Sequence, residues 1–215
     1  MVSFALITEG PTDQAVLRNI LIGLYGSDVE VNGLQPLYDA TDTSRAKPNS
    51  FGNWENVFEY CQHANLDDLF LTNDYVIIQI DTDVAEHPNF GINLTKNGVD
   101  RPVIELVEDV RKKIIEKFNQ LSYGSYKNQF AFAISVHSLE CWLLPLYAQI
   151  KNHEKKIKNC ESRLKYETEK LGLNSNKEYR PYDELSRQYR KPKEFEKATQ
   201  HHQSLALFLD SLPPL

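Results

Sequence analysis

The stretch ALITEGPTDQAVLRNIL, residues 5–21, decides the fold. An apolar run beginning at Val2 ends on Thr8-Glu9-Gly10, Pro11 and Thr12 make a turn, and Ala15, Val16, Leu17, Ile20, Leu21 and Leu24 then recur at helical spacing. A run this apolar suits a strand buried on both faces rather than an amphipathic one. The carboxylate of Glu9 closing such a strand needs a reason. The same pattern returns in DYVIIQIDTDVAEHPNFG, residues 74–91, where Tyr75 to Ile80 run straight into Asp81-Thr82-Asp83.

Working outward, a second strand is expected within VEVNGLQPLY, followed by a loop at 41–53 and a helix around Trp54, Val57, Phe58 and Cys61. The segment EHPNFGINLTKNG leads to a long helix from Pro102 to Phe118, with Val103, Leu106, Val107, Val110, Ile114 and Phe118 on one stripe. A further strand, FAFAISV, ends at His137. Strands alternating with helices predict an α/β fold, a Rossmannoid parallel sheet flanked by helices. Ligands in such sheets sit beyond the carboxyl ends of the strands, where Glu9, Asp81 and His137 all fall. After Pro145 the texture becomes charged and helix-favouring, so residues 1–150 read as the α/β domain and 151–215 as a basic C-terminal helical extension.

The net charge of −6 hides a segregation. Residues 1–150 hold 10 Lys and Arg against 20 Asp and Glu, whereas 151–200 hold 14 against 9. A local cationic surface attracts polyanions even on an acidic protein, because charge is screened over about 8 Å at physiological salt; the same residues also read as a solvated helical face. No apolar run reaches the roughly 20 residues a membrane span needs, and no secretory signal pattern opens the chain, so no membrane and a cytoplasmic location are expected. Cys61, Cys141 and Cys160 are odd in number and far apart, and each is expected to be a reduced thiol. His201-His202 after Cys160 matches no zinc spacing.

Asp81 and Asp83, two apart, point the same way from an extended backbone. Close carboxylates repel and resist burial unless a cation sits between them. Hard oxygen ligands suit Mg²⁺ or Mn²⁺. A lone DxD is weak evidence, and Asp13 in the first helical turn also complements the helix dipole. Two strand-end acidic motifs in one chain carry more weight.

TEGPTD after the first strand and IDTD after a later one resemble the Toprim fold shared by topoisomerases, primases and nucleases of the overcoming-lysogenization-defect type. SVHSLECWLLP and the tail YDELSRQYRKPKEFEKA are similar to segments of small bacterial Toprim-like proteins associated with phage defence. The resemblance implies a metal-dependent nuclease with two metals, Mg²⁺ or Mn²⁺. Glu9 would be a ligand and general base, Asp81 and Asp83 ligands, and Asp13 and Glu140 further acids of the site. Lys191 or Lys193 would be the basic residue near the scissile phosphate, and His137 would orient a neighbour from behind the ligands. Nucleic acid, DNA ahead of RNA, is the implied substrate. No GxxxxGK[ST] phosphate loop occurs in the chain, so an ATPase partner would be a separate polypeptide. A non-catalytic module docking on an ATPase or nucleic acid, and a small-nucleotide phosphohydrolase, are the competing readings.

Overall fold

A computed structural model of the chain describes residues 1–37, 54–149 and 159–214. The opening stretch forms strand β1 (Ser3–Ile7), wholly buried, and helix α1 (Pro11–Tyr25). Gly10 caps α1 in extended backbone and Pro11 supplies the preset φ of its first residue. β2 (Glu30–Gln35), β3 (Tyr75–Asp81) and a strand Phe130–Ser135 complete a sheet whose neighbouring strands are all parallel. Between β3 and that strand lies a small antiparallel hairpin, β4 (Thr95–Lys96) and β5 (Val99–Asp100), within the segment expected to be loop. Asn97 and Gly98 turn it with positive φ, the backbone a two-residue hairpin turn requires. Phe130–Ser135 is accordingly β6, and the sheet order is β2-β1-β3-β6.

The order makes β1 and β3 neighbours whose outgoing connections diverge: from β1 the chain goes outward to β2, then returns past β1 to β3. This is the switch point at which open α/β sheets bind ligands. Helices cover both faces. Ala5, Ile7, Val76, Ile78, Ile80, Phe132 and Ile134 face α2 (Trp54–His63), α3 (Leu66–Thr72), α4 (Val103–Ile115) and α5 (Gln120–Tyr126). The expected helix to Phe118 stops at Ile115; Asn119 then caps α5 through its side-chain oxygen, starting a helix that periodicity did not separate. The loop expected at 41–53 lies outside the described residues.

Phe4, Leu6, Ile77, Ala131 and Ala133 face α1 and the C-terminal helices α6 (Glu140–Tyr147), α7 (Cys160–Lys170), α8 (Tyr179–Ser186), α9 (Pro192–His201) and α10 (Gln203–Asp210). Leu164, Tyr182, Tyr189, Ala198, Leu205 and Phe208 enter the same core as Phe4 and Leu17, each large apolar side chain contributing about 1.5–3 kcal/mol. The C-terminal helices are thus packed onto the sheet. Gly23 permits the closest approach: a Cβ there would run into the Tyr189 carbonyl oxygen. No helix among the described residues is long and apolar enough to cross a membrane.

One expectation is corrected. Cys141 and Cys160 form a disulfide, whereas Cys61 is a free, buried thiol. The 19-residue separation hides the pairing in sequence, but α6 and α7 start side by side, with the two Cα atoms 4.9 Å apart.

Candidate metal centre

The acids expected to act together do meet at the β1/β3 switch point. Glu9 leaves the end of β1 with its N–H donating to Gln79 Oε1 (3.2 Å), and its own Oε1 accepts from the Asp81 N–H (2.6 Å). Gln79, fully buried in the middle of an apolar strand, donates its Nε2 to Asp81 Oδ1 (2.8 Å). One glutamine therefore fixes both strand ends. Asp13 sits at the third position of α1, where its Oδ2 accepts the Gly10 N–H (2.7 Å) and the side chain is held against the cluster rather than released to solvent.

The DTD loop is held by backbone. The Thr82 and Asp83 N–H groups both donate to the His137 carbonyl (3.0 and 2.9 Å), and the His137 N–H donates to Thr82 Oγ1 (2.8 Å). The left-handed φ of His137, +70°, goes with this arrangement. The His137 main chain thus holds the Asp81–Asp83 loop in place.

Glu140 opens α6 with only 4% of its surface exposed. Its Oε1 accepts the Tyr182 hydroxyl (2.8 Å) and pairs with Lys177 Nζ (3.3 Å), which also lies 3.1 Å from Glu161 Oε2. Glu140 Oε2 is buried with no hydrogen-bond partner. Ser135 Oγ, on the residue paired with Asp81 across β3 and β6, is the other such atom among the described residues. Both orphans border the acids.

The electrostatics agree with the geometry. Burial pushes the Glu9 carboxyl from 4.5 up to about 8 against the Asp81 hydrogen bond, and repulsion from Asp13 and Asp83 adds to the rise. Asp13 rises from 3.8 to about 7 through burial and the Glu140 charge. Asp81 is raised well above its ordinary value by burial, then by Glu9, Asp13, Glu140 and Asp83. Burial raises Asp83 too, against the pull of Lys177. Among these acids Glu140 is lowered: burial opposes its charge, but Lys177, the Ser138 side chain, its own backbone N–H and the Tyr182 hydroxyl together outweigh it. Among the described residues Lys177 is the cation that draws on Asp13, Asp83 and Glu140, and burial with mutual repulsion opposes ionisation of Glu9, Asp13, Asp81 and Asp83 unless a further cation joins them. The oxygen-only donor set and the orphaned Glu140 oxygen fit a hard divalent ion. In their present placement, however, no group of three or more His, Cys, Asp or Glu side chains among the described residues is disposed to hold a metal ion.

Lys191 and Lys193 are not brought to the acids. They lie within the Tyr189–Phe195 segment that packs on Gly23, ten residues beyond Asp13 on α1 and about 15 Å along its axis. The lysine beside the acids is Lys177, paired with Glu140 and Glu161. The sequence reading also missed Gln79, Tyr182 and Glu161. Gln79 was visible as the one polar residue inside YVIIQI; Lys177, in the polar connector LNSNKEYRPYD, carried no signal. Compared with known proteins, the chain matches no family model, no curated protein and no solved structure.

Proposed function

We propose that the chain is a metal-dependent nuclease of Toprim type that hydrolyses phosphodiester bonds, DNA ahead of RNA, as the effector of a phage-defence system. The observation that carries this reading is the convergence of Glu9, Asp13, Asp81, Asp83 and Glu140 at the β1/β3 switch point, bordered by the two unpartnered buried polar atoms. Glu9, Asp81 and Asp83 would hold one ion, and Asp13 and Glu140 would help hold a second. Mg²⁺ or Mn²⁺ bound there supplies an activated water and offsets charge on the leaving oxygen. Glu9, aimed by its bond from the Asp81 N–H, is the group to take the proton from the attacking water. Lys177, whose side chain is 53% exposed, reaches from Glu140 toward solvent and is placed to meet a phosphate oxygen.

The test is incubation of the purified chain with plasmid, linear and single-stranded DNA and with RNA, in Mg²⁺, Mn²⁺ or EDTA, beside Asp81→Asn. Cleavage that requires metal and disappears in the variant supports the proposal; metal-independent cleavage, or activity retained by Asp81→Asn, would sink it. The open arrangement of the carboxyls favours a second reading, a non-catalytic module docking on a separate ATPase or on nucleic acid. Co-purification of such a partner with no cleavage under any condition would select it.

A further inference from the structure

We propose that the cleft between the Gly91–Asn93 segment and the last turns of α4 binds a sugar-phosphate unit. It shares no residue with the acidic cluster and does not depend on the metal reading. The cleft opens to solvent and has a volume of about 370 Å³, within the range of small-ligand sites. Both of its walls are fixed before anything enters. On one, the Gly91 N–H donates to the His87 carbonyl and the Ile92 N–H to the Ala85 carbonyl (both 2.8 Å), while Phe90 packs against Trp54 and Phe58. On the other, Arg101 ties the hairpin to α4, its Nη1 donating to the Asn93 carbonyl (3.1 Å) and its Nη2 to Asp109 Oδ2.

Arg101 and Asp109 neutralise one another, which leaves Lys112 and Lys113 in the cleft against Glu116. Lys113 is the unusual group. It is half-buried, and its Nζ lies 3.6 Å from where a Cβ on Gly91 would stand, yet among the described residues it makes no ion pair and no hydrogen bond. A half-buried ammonium without a partner carries a desolvation cost that an arriving anion removes. Lysines in the last turn complement the helix dipole, but that preference does not bring the Lys113 ammonium to Gly91. Glycine, at φ +70°, keeps the wall bare where the ammonium lies. Lys112, exposed beside it, adds three more donors. Two ammoniums meeting one anion suit a phosphate, which lysine binds as a point charge. A lone phosphate does not fill the cleft. The Asn93 amide and the Glu116 carboxylate are acceptors for hydroxyl groups, and the described lining holds no aromatic ring for a base to stack on. A hydroxylated body carrying a phosphate, free or as a unit of a nucleic-acid backbone, is the chemistry that fits.

The test is calorimetric titration of the full chain in EDTA with ribose 5-phosphate, ribose, inorganic phosphate and a short oligothymidylate. Ribose 5-phosphate is expected to bind with a Kd of about 1 mM or tighter, inorganic phosphate more weakly, and ribose not at all. Lys113→Gln should weaken binding about tenfold and Lys112→Gln less, with urea midpoints equal to that of the unaltered chain showing that both variants are folded. Oligothymidylate binding that falls in the same variants, with ribose 5-phosphate inert, would assign the cleft to a nucleic-acid backbone. No binding of either sugar-phosphate probe, or binding that Lys113→Gln leaves unchanged, would overturn the proposal, and inorganic phosphate as tight as the ester would overturn its sugar part. With no metal present, these results stand apart from the cleavage assay, whose failure is read separately.

Discussion

Two buried polar clusters lie on either side of the loop that carries His137, and they are built to opposite rules. Behind the loop, Ser204 Oγ accepts from the Val136 N–H (3.3 Å) and Trp142 Nε1 (2.9 Å), and its proton is left for His202 Nδ1 (3.0 Å). Every capacity of that hydroxyl is used and no net charge is enclosed. In front of the loop, the described residues set five acids against Lys177 and leave Glu140 Oε2 and Ser135 Oγ without a hydrogen-bond partner. The same short segment of backbone borders both clusters, so the fold is capable of closing a buried network. Where the described residues leave one open and overcharged, the metal ion proposed above is the partner that would complete it.

Breaking each cluster should therefore have opposite results. The largest effect is expected from Asp81→Asn: cleavage falls below detection, while urea unfolding in EDTA gives a midpoint equal to or above that of the unaltered chain, because a repelling charge has been removed. A clear loss of stability would mean the acids are structural. Lys177→Ala should lower kcat by about a hundredfold, with steady-state kinetics at saturating Mg²⁺ as the readout; an unchanged kcat would return the role to another cation. Ser204→Ala strips two buried donors of their acceptor and should cost about 1–3 kcal/mol of stability. Cleavage by that variant, assayed well below its melting temperature, should persist. If it vanished, the two clusters would have to be treated as one unit.

The fold was legible because apolar runs and helical periodicity are local. β1, β3 and β6 are buried on both faces and carry no alternation to misread, and α1 announces itself through Pro11 and its apolar stripe. Glu9, Asp13, Asp81, Asp83 and Glu140 were legible for a related reason: a carboxylate at the edge of an apolar segment has few structural explanations. What escaped depends on long-range packing. Lys177 reaches Glu140 across 37 positions, and Tyr182 across 42, from a region whose composition reads as solvated. Cys141 meets Cys160 only because α6 and α7 start together. Nothing in the local charge pattern separated Lys177 from Lys191 and Lys193, which differ in where α1 and Gly23 let the C-terminal helices dock.

The smallest effect is also the most direct comparison of the two clusters, because their proton uptake runs in opposite senses. In EDTA the folded chain holds Glu9 at about 8 against 4.5, and Asp13 at about 7 against 3.8, so between those values it binds more protons than the unfolded chain. Stability from the acids is therefore present at low pH and lost as pH rises toward about 8. His202 is lowered from 6.5 to about 4 by burial and then by His137, so its contribution is full above 6.5 and lost as pH falls toward 4. Below 6.5 the two clusters oppose each other; from 6.5 to 8 the acids act alone. Urea midpoints in EDTA should accordingly decline across that upper window, and saturating Mg²⁺ should flatten the decline by taking the place of the protons. His202→Asn should leave the upper window untouched and remove the loss below 6.5. A decline that Mg²⁺ does not alter would locate the titrating charge elsewhere and detach the acidic cluster from metal binding.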